Sequence, residues 1–179
     1  MRIVGGKLRH RIIEMTNLET TRETQDKVRE AIYNSIGPYF DGGIALDLFS
    51  GSGAMGIEAY SRGIAHIYLN DLEKKAIDVC KKNCKSLEIK DVTFSCLDYK
   101  EFIKSTKAHF DLVILDPPYR MDNIDEMLNL IEPLVNKNGI VVFEMGVQSK
   151  YSPKIESLVF KKEKKYGIKK VAIFTRGDN

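Results

Sequence analysis

Ile44-Ala45-Leu46-Asp47-Leu48-Phe49-Ser50-Gly51-Ser52-Gly53-Ala54-Met55-Gly56 decides how the rest of the chain is read. An apolar, β-prone run enters a G-x-G-x-x-G turn and leaves it in helix-forming residues, the pattern of a buried strand turning directly into a helix. Toward the C-terminus the alternation repeats. Strands are expected at 44–49, 64–69, 92–96, 110–115 and 139–143, with helices near 54–62, 73–87, 98–105 and 124–132. Alternation at this spacing specifies a parallel sheet covered on both faces. After Pro153 two β-prone runs, 158–160 and 171–175, leave no room for a helix, so the sheet should finish in an antiparallel hairpin. Toward the N-terminus, Val28, Ala31, Ile32 and Ile36 form the apolar stripe of a helix over about 24–36, stopped by Gly37-Pro38. Residues 2–8, with Gly5-Gly6 between short β-prone runs, read as a hairpin. The expected fold class is α/β and Rossmann-like: a mostly parallel seven-stranded sheet with helices on both faces, a terminal antiparallel hairpin, and a small N-terminal β-hairpin plus helix extension.

A glycine turn of this kind lets backbone approach a ligand, but dinucleotide-binding proteins share it. Asp47, four residues before Gly51, separates the readings. A pyrophosphate beside the helix N-terminus would be repelled by this carboxylate, whereas S-adenosylmethionine carries a sulfonium and an ammonium and no phosphate. The acid favours the cationic ligand. The second strand ends at Asn70-Asp71, where an acid can accept from both ribose hydroxyls or cap the next helix. Asp98-Tyr99 follows the third strand beside the expected adenine position, and Asp98 reads equally well as a helix cap. Asp116 follows the fourth, so successive strand ends present Asp47, Asp71, Asp98 and Asp116 along one edge.

Asp116-Pro117-Pro118-Tyr119 closes that series. The prolines fix the turn and hold the Asp116 carboxylate and the Pro117 carbonyl as a rigid pair of acceptors, with Tyr119 beside them as an aromatic face. Two acceptors and a stacking ring suit a planar base bearing an exocyclic amine.

The chain has 179 residues, enough for one domain with a real core. It has no apolar run near the ~20 residues of a membrane span, and its basic start lacks the apolar core of a secretory leader, so a cytoplasmic protein is expected. Cys80, Cys84 and Cys96 lack paired-ligand spacing, and His10, His66 and His109 supply no matching pair, so no metal is expected. Charge is uneven. Lys and Arg outnumber Asp and Glu by 7 to 4 in residues 1–29 and by 9 to 2 in residues 150–176, while 30–149 is acidic, 12 against 18. Basic ends around an acidic middle are what a phosphate-rich partner gripped from two sides would require.

Taken together, the chain resembles the class I S-adenosylmethionine-dependent methyltransferases, and more narrowly the RsmD family of bacterial 16S rRNA (guanine-N2)-methyltransferases. The resemblance rests on Arg2-Ile3-Val4-Gly5-Gly6, Thr21-Arg22-Glu23-Thr24, the run from Asp26 to Ala31, Asn34, Asp47 to Gly53, the DPPY tetrapeptide, Glu144 and Tyr166-Gly167. It departs from the family at Glu23, where proline is usual, and at Ile168-Lys169, where a threonine is usual. The resemblance implies S-adenosylmethionine as cofactor, held by Asp47, Phe49, Gly51, Ser52 and Gly53 at the methionine end, Asp71 at the ribose, and Asp98 and Tyr99 at the adenine. Asp116, Pro117 and Tyr119 would hold the target base. Arg2, Lys7, Arg9, Arg11 and Arg22 would contact RNA from an N-terminal extension of residues 1–40, with residues 41–179 as the methyltransferase domain. The expected partner is the small ribosomal subunit or its 16S rRNA, with the protein a monomer. The rivals are a DNA or RNA adenine-N6 methyltransferase, a non-catalytic RNA-binding module and, least of all, a nicotinamide dehydrogenase.

Overall fold

The computed structural model describes residues 1–17, 24–118, 120–121, 123–152, 154–155 and 157–177. Helix α1 (Asp26–Ile36) leads into β1 (Ile44–Asp47), α2 (Ala54–Ser61), β2 (His66–Asn70), α3 (Lys74–Ser86), β3 (Val92–Ser95), α4 (Tyr99–Ser105), β4 (Phe110–Leu115), α5 (Ile124–Ile131), β5 (Val135–Gly146), β6 (Lys154–Ile155), β7 (Leu158–Tyr166) and β8 (Lys169–Arg176). One sheet holds all the strands, in the order β3-β2-β1-β4-β5-β8-β7-β6. β1 to β5 are parallel, and β8 inserts antiparallel between β5 and β7.

Strand side chains alternate between the two faces, which divides the core. On one face Ala45, Ile67, Leu112 and Val142 pack against α1, α2 and α3 with Ile32, Ile57 and Cys80. On the other, Leu46, Val113, Val141 and Phe174 meet Phe102, Met127 and Leu128 of α4 and α5. Helix α3 buries Ala76, Ile77, Cys80, Asn83 and Cys84, spaced as one face of a 3.6-residue repeat. The cysteine pair is therefore core, and burial pushes the Cys84 thiol up to about 12.

The seven expected strands are present, and the two-residue β6 adds an eighth at the outer edge. Both hairpin strands are longer than their apolar runs. β7 continues through Lys161-Lys162-Glu163-Lys164-Lys165, exposed on an outer strand, because its partner β8 is buried and supplies the ladder. Charged residues are what an outer strand uses to discourage pairing with other chains.

The N-terminal hairpin is reduced to a single antiparallel bridge, Arg2 with Ile12. Across that bridge Ile3 N donates to Arg11 O and Ile13 N to Met1 O, both at 2.9 Å, and the loop between the two segments docks on α2. Val4 N and Gly5 N donate to Glu58 at 3.0 and 2.8 Å, and Leu8 N donates to Ser61 Oγ at 2.9 Å. Glycine is required at position 6 for that contact, because a Cβ there would stand 1.9 Å from the Ser61 carbonyl oxygen. Ile3, Ile13, Ile32 and Tyr33 join the same buried cluster as Ala45 and Ile67, so the N-terminal arm and α1 share the core of the sheet.

Arg29 lies on α1 among more exposed charges but points into the core. It is fully buried, donating to Glu58 Oε2 at 3.2 Å and Asp26 Oδ1 at 3.0 Å, and Arg62 Nε donates to Glu58 Oε1 at 2.8 Å. Buried charges need such pairing.

Candidate active site

At the carboxyl ends of the parallel strands lies a cavity of about 250 Å³. Ligands of open α/β sheets bind at this edge. Phe49 and Gly51 reach it from the turn after β1, Asp71 from β2, Asp98 and Tyr99 from β3, and Asp116 and Pro117 from β4. Asp71 accepts from Gly51 N and from Glu73 N, both at 2.9 Å, so it ties the glycine turn to the end of β2. Burial raises its carboxyl from the ordinary aspartate value. Lone-pair positions remain on both oxygens, as a diol acceptor requires. Asp98 caps α4, accepting from Lys100 N at 2.9 Å, and lines the cavity as well. The capping and cavity readings of Asp98 therefore coexist. Tyr99 tilts against Phe49 at 5.9 Å between ring centroids, and its hydroxyl accepts from Asn123 at 2.9 Å.

Asp47, Ser52 and Gly53 stand behind the cavity wall. Asp47 is 2% exposed and accepts from Gly56 N at 2.9 Å, in the first turn of α2. Ser52 is buried, with its carbonyl taking a hydrogen bond from Asn83 at 2.9 Å. Gly53 has φ +84°, and a Cβ on it would meet Cys80 Sγ at 3.2 Å and Ile57 and Leu69 at 3.3 Å. Its missing side chain thus serves the left-handed backbone and the core, where the sequence had suggested close approach to a ligand. At Gly56 a Cβ would stand 2.4 Å from Leu69 and 3.3 Å from the Asp47 Cβ, so this glycine sets how closely α2 lies on the sheet.

Asp116 does not stand alone. Lys169 Nζ, at the start of β8, lies 3.3 Å from Asp116 Oδ1 and 3.5 Å from Glu144 Oε2. Glu144 is fully buried and takes hydrogen bonds from Thr24 Oγ1 at 2.9 and 3.1 Å. Burial, and then the Glu144 charge, raise the Asp116 carboxyl well above its ordinary value, with Lys169 opposing. On the far side of Lys169 a second cleft of about 440 Å³ opens between the start of α1 and the β7–β8 turn, with Glu144 in its wall.

Register explains why these three meet. Leu115 pairs with Phe143, which sets Asp116 level with Glu144, and Gly146 pairs with Lys169 on antiparallel β8. Asn70 was also missed by sequence reading. Its amide donates to Leu48 O at 3.1 Å and Leu97 O at 3.0 Å, and its oxygen accepts from Ser95 at 2.7 Å, which binds three strand ends together beneath the cavity.

Of the residues expected at RNA, Lys7, Arg9 and Arg11 lie apart from this edge. Lys7 stacks over Tyr60 near the end of α2, Arg11 donates to the Ser86 carbonyl at the end of α3, and Arg9 is exposed on the same turn. Helices α2 and α3 end on the side of the sheet where β2 and β3 begin, opposite the cavity. Arg2 pairs with Asp26 at 3.2 Å. Tyr119 and Arg22 fall outside the described residues.

A family model described as Conserved hypothetical protein 95 matches residues 1–175. The YlbH protein of Bacillus subtilis is 36% identical over 98% of this chain and 99% of its own length. The ribosomal RNA small subunit methyltransferase D of Buchnera aphidicola subsp. Acyrthosiphon pisum is 34% identical over 89% of this chain and 86% of its own. The solved structure of yhhF from Escherichia coli has a TM-score of 0.87 at 26% identity, covering 99% of this chain and 98% of that one. Because the likeness takes in the N-terminal arm and the terminal hairpin along with the strand ends, the chain belongs to the family of Conserved hypothetical protein 95, the ribosomal RNA small subunit methyltransferase D (RsmD) family.

Proposed function

We propose that this protein transfers a methyl group from S-adenosylmethionine to the exocyclic N2 amine of a guanine in 16S ribosomal RNA. The observation that carries the reading is the placement of Asp116, an acceptor in the wall of the strand-end cavity, paired with the Lys169 that also lines the second cleft. When bound, S-adenosylmethionine would supply a methyl on a positively charged sulfur, open to attack by the lone pair of the amine, with the sulfur as leaving group. Phe49 and Tyr99 offer faces for an adenine, Asp71 accepts from ribose hydroxyls, and Asp47, Ser52 and Gly53 support the turn from behind. Asp116 and the Pro117 carbonyl orient the amine, Tyr119 stacks on the base, and Asp116 takes the proton released after transfer. Most of the acceleration comes from alignment and exclusion of water, effects that supply several kcal/mol. Chemistry driven by a sulfonium needs no metal.

Asp47 supports this cofactor against a dinucleotide. The first turn of α2, where a pyrophosphate would sit, already donates to the Asp47 carboxylate. An RNA-binding module without activity gives no reason for acids at successive strand ends. An adenine-N6 enzyme shares the DPPY chemistry, but the relative named above acts, by its name, on ribosomal RNA. A ribosomal substrate places the protein in the cytoplasm, and one chain, as a monomer, carries the whole candidate site. The N-terminal basic residues Arg2, Lys7, Arg9, Arg11 and Arg22 would then hold RNA away from the target base.

The test offers small ribosomal subunits and free 16S RNA from cells lacking the protein, with isotopically labelled S-adenosylmethionine, and maps the label by mass spectrometry. Label on N2 of one guanine is expected. Label on adenine N6, or equal labelling of duplex DNA, would overturn the reading.

A further inference from the structure

A methyl transfer joins two ligands at one atom, so the two cavities that would hold them must meet where that atom passes. Here they meet at Lys169, whose ammonium stands between Asp116, on the strand-end cavity, and Glu144, in the wall of the second cleft. Both carboxylates reach the same nitrogen, at 3.3 and 3.5 Å, so the ammonium occupies a space that N–H donors of a ligand could take. Glu144 is poorly explained as a structural residue alone. It is fully buried, yet its neighbours on β5 and β8 are apolar, and its partners are a hydroxyl just before α1 and a lysine that also serves Asp116.

We propose that Glu144 is the residue that selects guanine, accepting a hydrogen bond from N1–H while Asp116 accepts from the adjacent N2 amine, with the base lodged in the second cleft. This rests on the function proposed above. Guanine is the purine that presents an amine donor next to a ring N–H donor. Adenine presents its amine next to a lone pair, which would face the Glu144 carboxylate without a proton between them. An unmatched buried acceptor is far more costly than a missing contact. Reading that edge requires a base out of its stack and unpaired. Lys169 moves aside on its flexible stem as the donors of the base replace it, and its charge continues to balance the two carboxylates.

The experiment compares RNA carrying guanine with RNA carrying 2-aminopurine at the nucleotide the wild-type enzyme methylates. 2-Aminopurine keeps the amine at the same place but has a lone pair at N1. For the wild type, kcat/KM is expected to fall by about 100-fold on 2-aminopurine. In Glu144→Gln, whose amide can turn its N–H₂ toward that lone pair, the two substrates should come within about tenfold of each other. Cofactor affinity by calorimetry verifies that the variant is folded. Wild-type enzyme that methylates both RNAs equally would overturn the proposal without needing any variant, as would a Glu144→Gln enzyme that loses both substrates by the same factor. In either case guanine methylation by the wild type would leave the function intact. A wild type that methylates no guanine would overturn the function and the proposal together.

Discussion

A carboxylate that must take the proton released by an amine works only when ionised, and Asp116 is pushed the other way. Burial raises its carboxyl, the Glu144 charge raises it further, and Lys169 draws it down. Asp47 on β1 adds a smaller upward push. The rate of transfer at saturating substrates should therefore show an acidic limb, rising with pH as Asp116 loses its proton. Lys169→Met, which removes the opposing charge, should move that limb to higher pH, whereas an unaltered limb would detach Asp116 from it. Asp116→Ala should lower kcat by about a hundredfold with little change in cofactor affinity. Stability follows the same linkage. A carboxyl whose folded value lies above its unfolded value of about 3.9 binds protons more readily in the folded state, so its contribution is present below that pH and is lost as pH rises through the raised value. Asp116→Asn should thus raise the melting temperature at neutral pH, and the gain should vanish below about pH 4.

Among the elements, α2 bears two different loads. Its first turn holds Asp47 through Gly56, and its last turn holds the N-terminal arm through Glu58, which joins Arg29, Arg62, Val4 and Gly5. Glu58→Gln removes one charge from a buried set and leaves two guanidinium groups undercompensated. A loss of about 3–5 kcal/mol in urea unfolding is expected, with the arm released first in hydrogen exchange. A loss below 1 kcal/mol would show that the arm is held by its apolar contacts instead. At the other end, Gly53→Ala should cost about 1–2 kcal/mol of stability for a side chain at φ +84°. Cofactor affinity should be nearly unchanged, because the new methyl points at Cys80, Ile57 and Leu69.

For the whole molecule, charge and topology act together. The C-terminal hairpin rises to the same edge as the cavity, and Lys164 pairs with Val171, which in turn pairs with Glu144. Exposed Lys164 and Lys165 therefore stand next to the β7–β8 turn that walls the second cleft, with Lys161 and Lys162 further along β7, while Lys7 and Arg11 lie at the opposite edge. Reversing Lys164 and Lys165 to Glu should raise KM for small ribosomal subunits and reduce the log–log salt slope by roughly one for each lost phosphate contact. The same reversal at Arg9 and Arg11 should have the smaller effect. Equal effects from both pairs would mean that RNA wraps the sheet from edge to edge.

Local patterns determined much of this protein. Alternating apolar runs, glycine turns and proline stops are short-range signals, so the order of strands and helices, the terminal hairpin and the acids after β2, β3 and β4 could be read directly from the residues. Other properties depended on which distant segments became neighbours. Arg29 and Glu58 carry no local sign that they are buried together. A β-hairpin was expected within residues 2–8 from Gly5-Gly6, but Arg2 pairs with Ile12 across a longer loop whose backbone donors go to α2. That a Cβ on Gly53 would meet the core, and that Asp47 accepts from the first turn of α2, depends on the angle at which α2 lies on the sheet. Lys169 lies 53 residues from Asp116 and 25 from Glu144. It reaches them because β8 runs antiparallel and therefore begins at the edge where β4 and β5 end. Strand direction and register are set by the packing of the whole sheet, and only that packing could bring the lysine between the two acids.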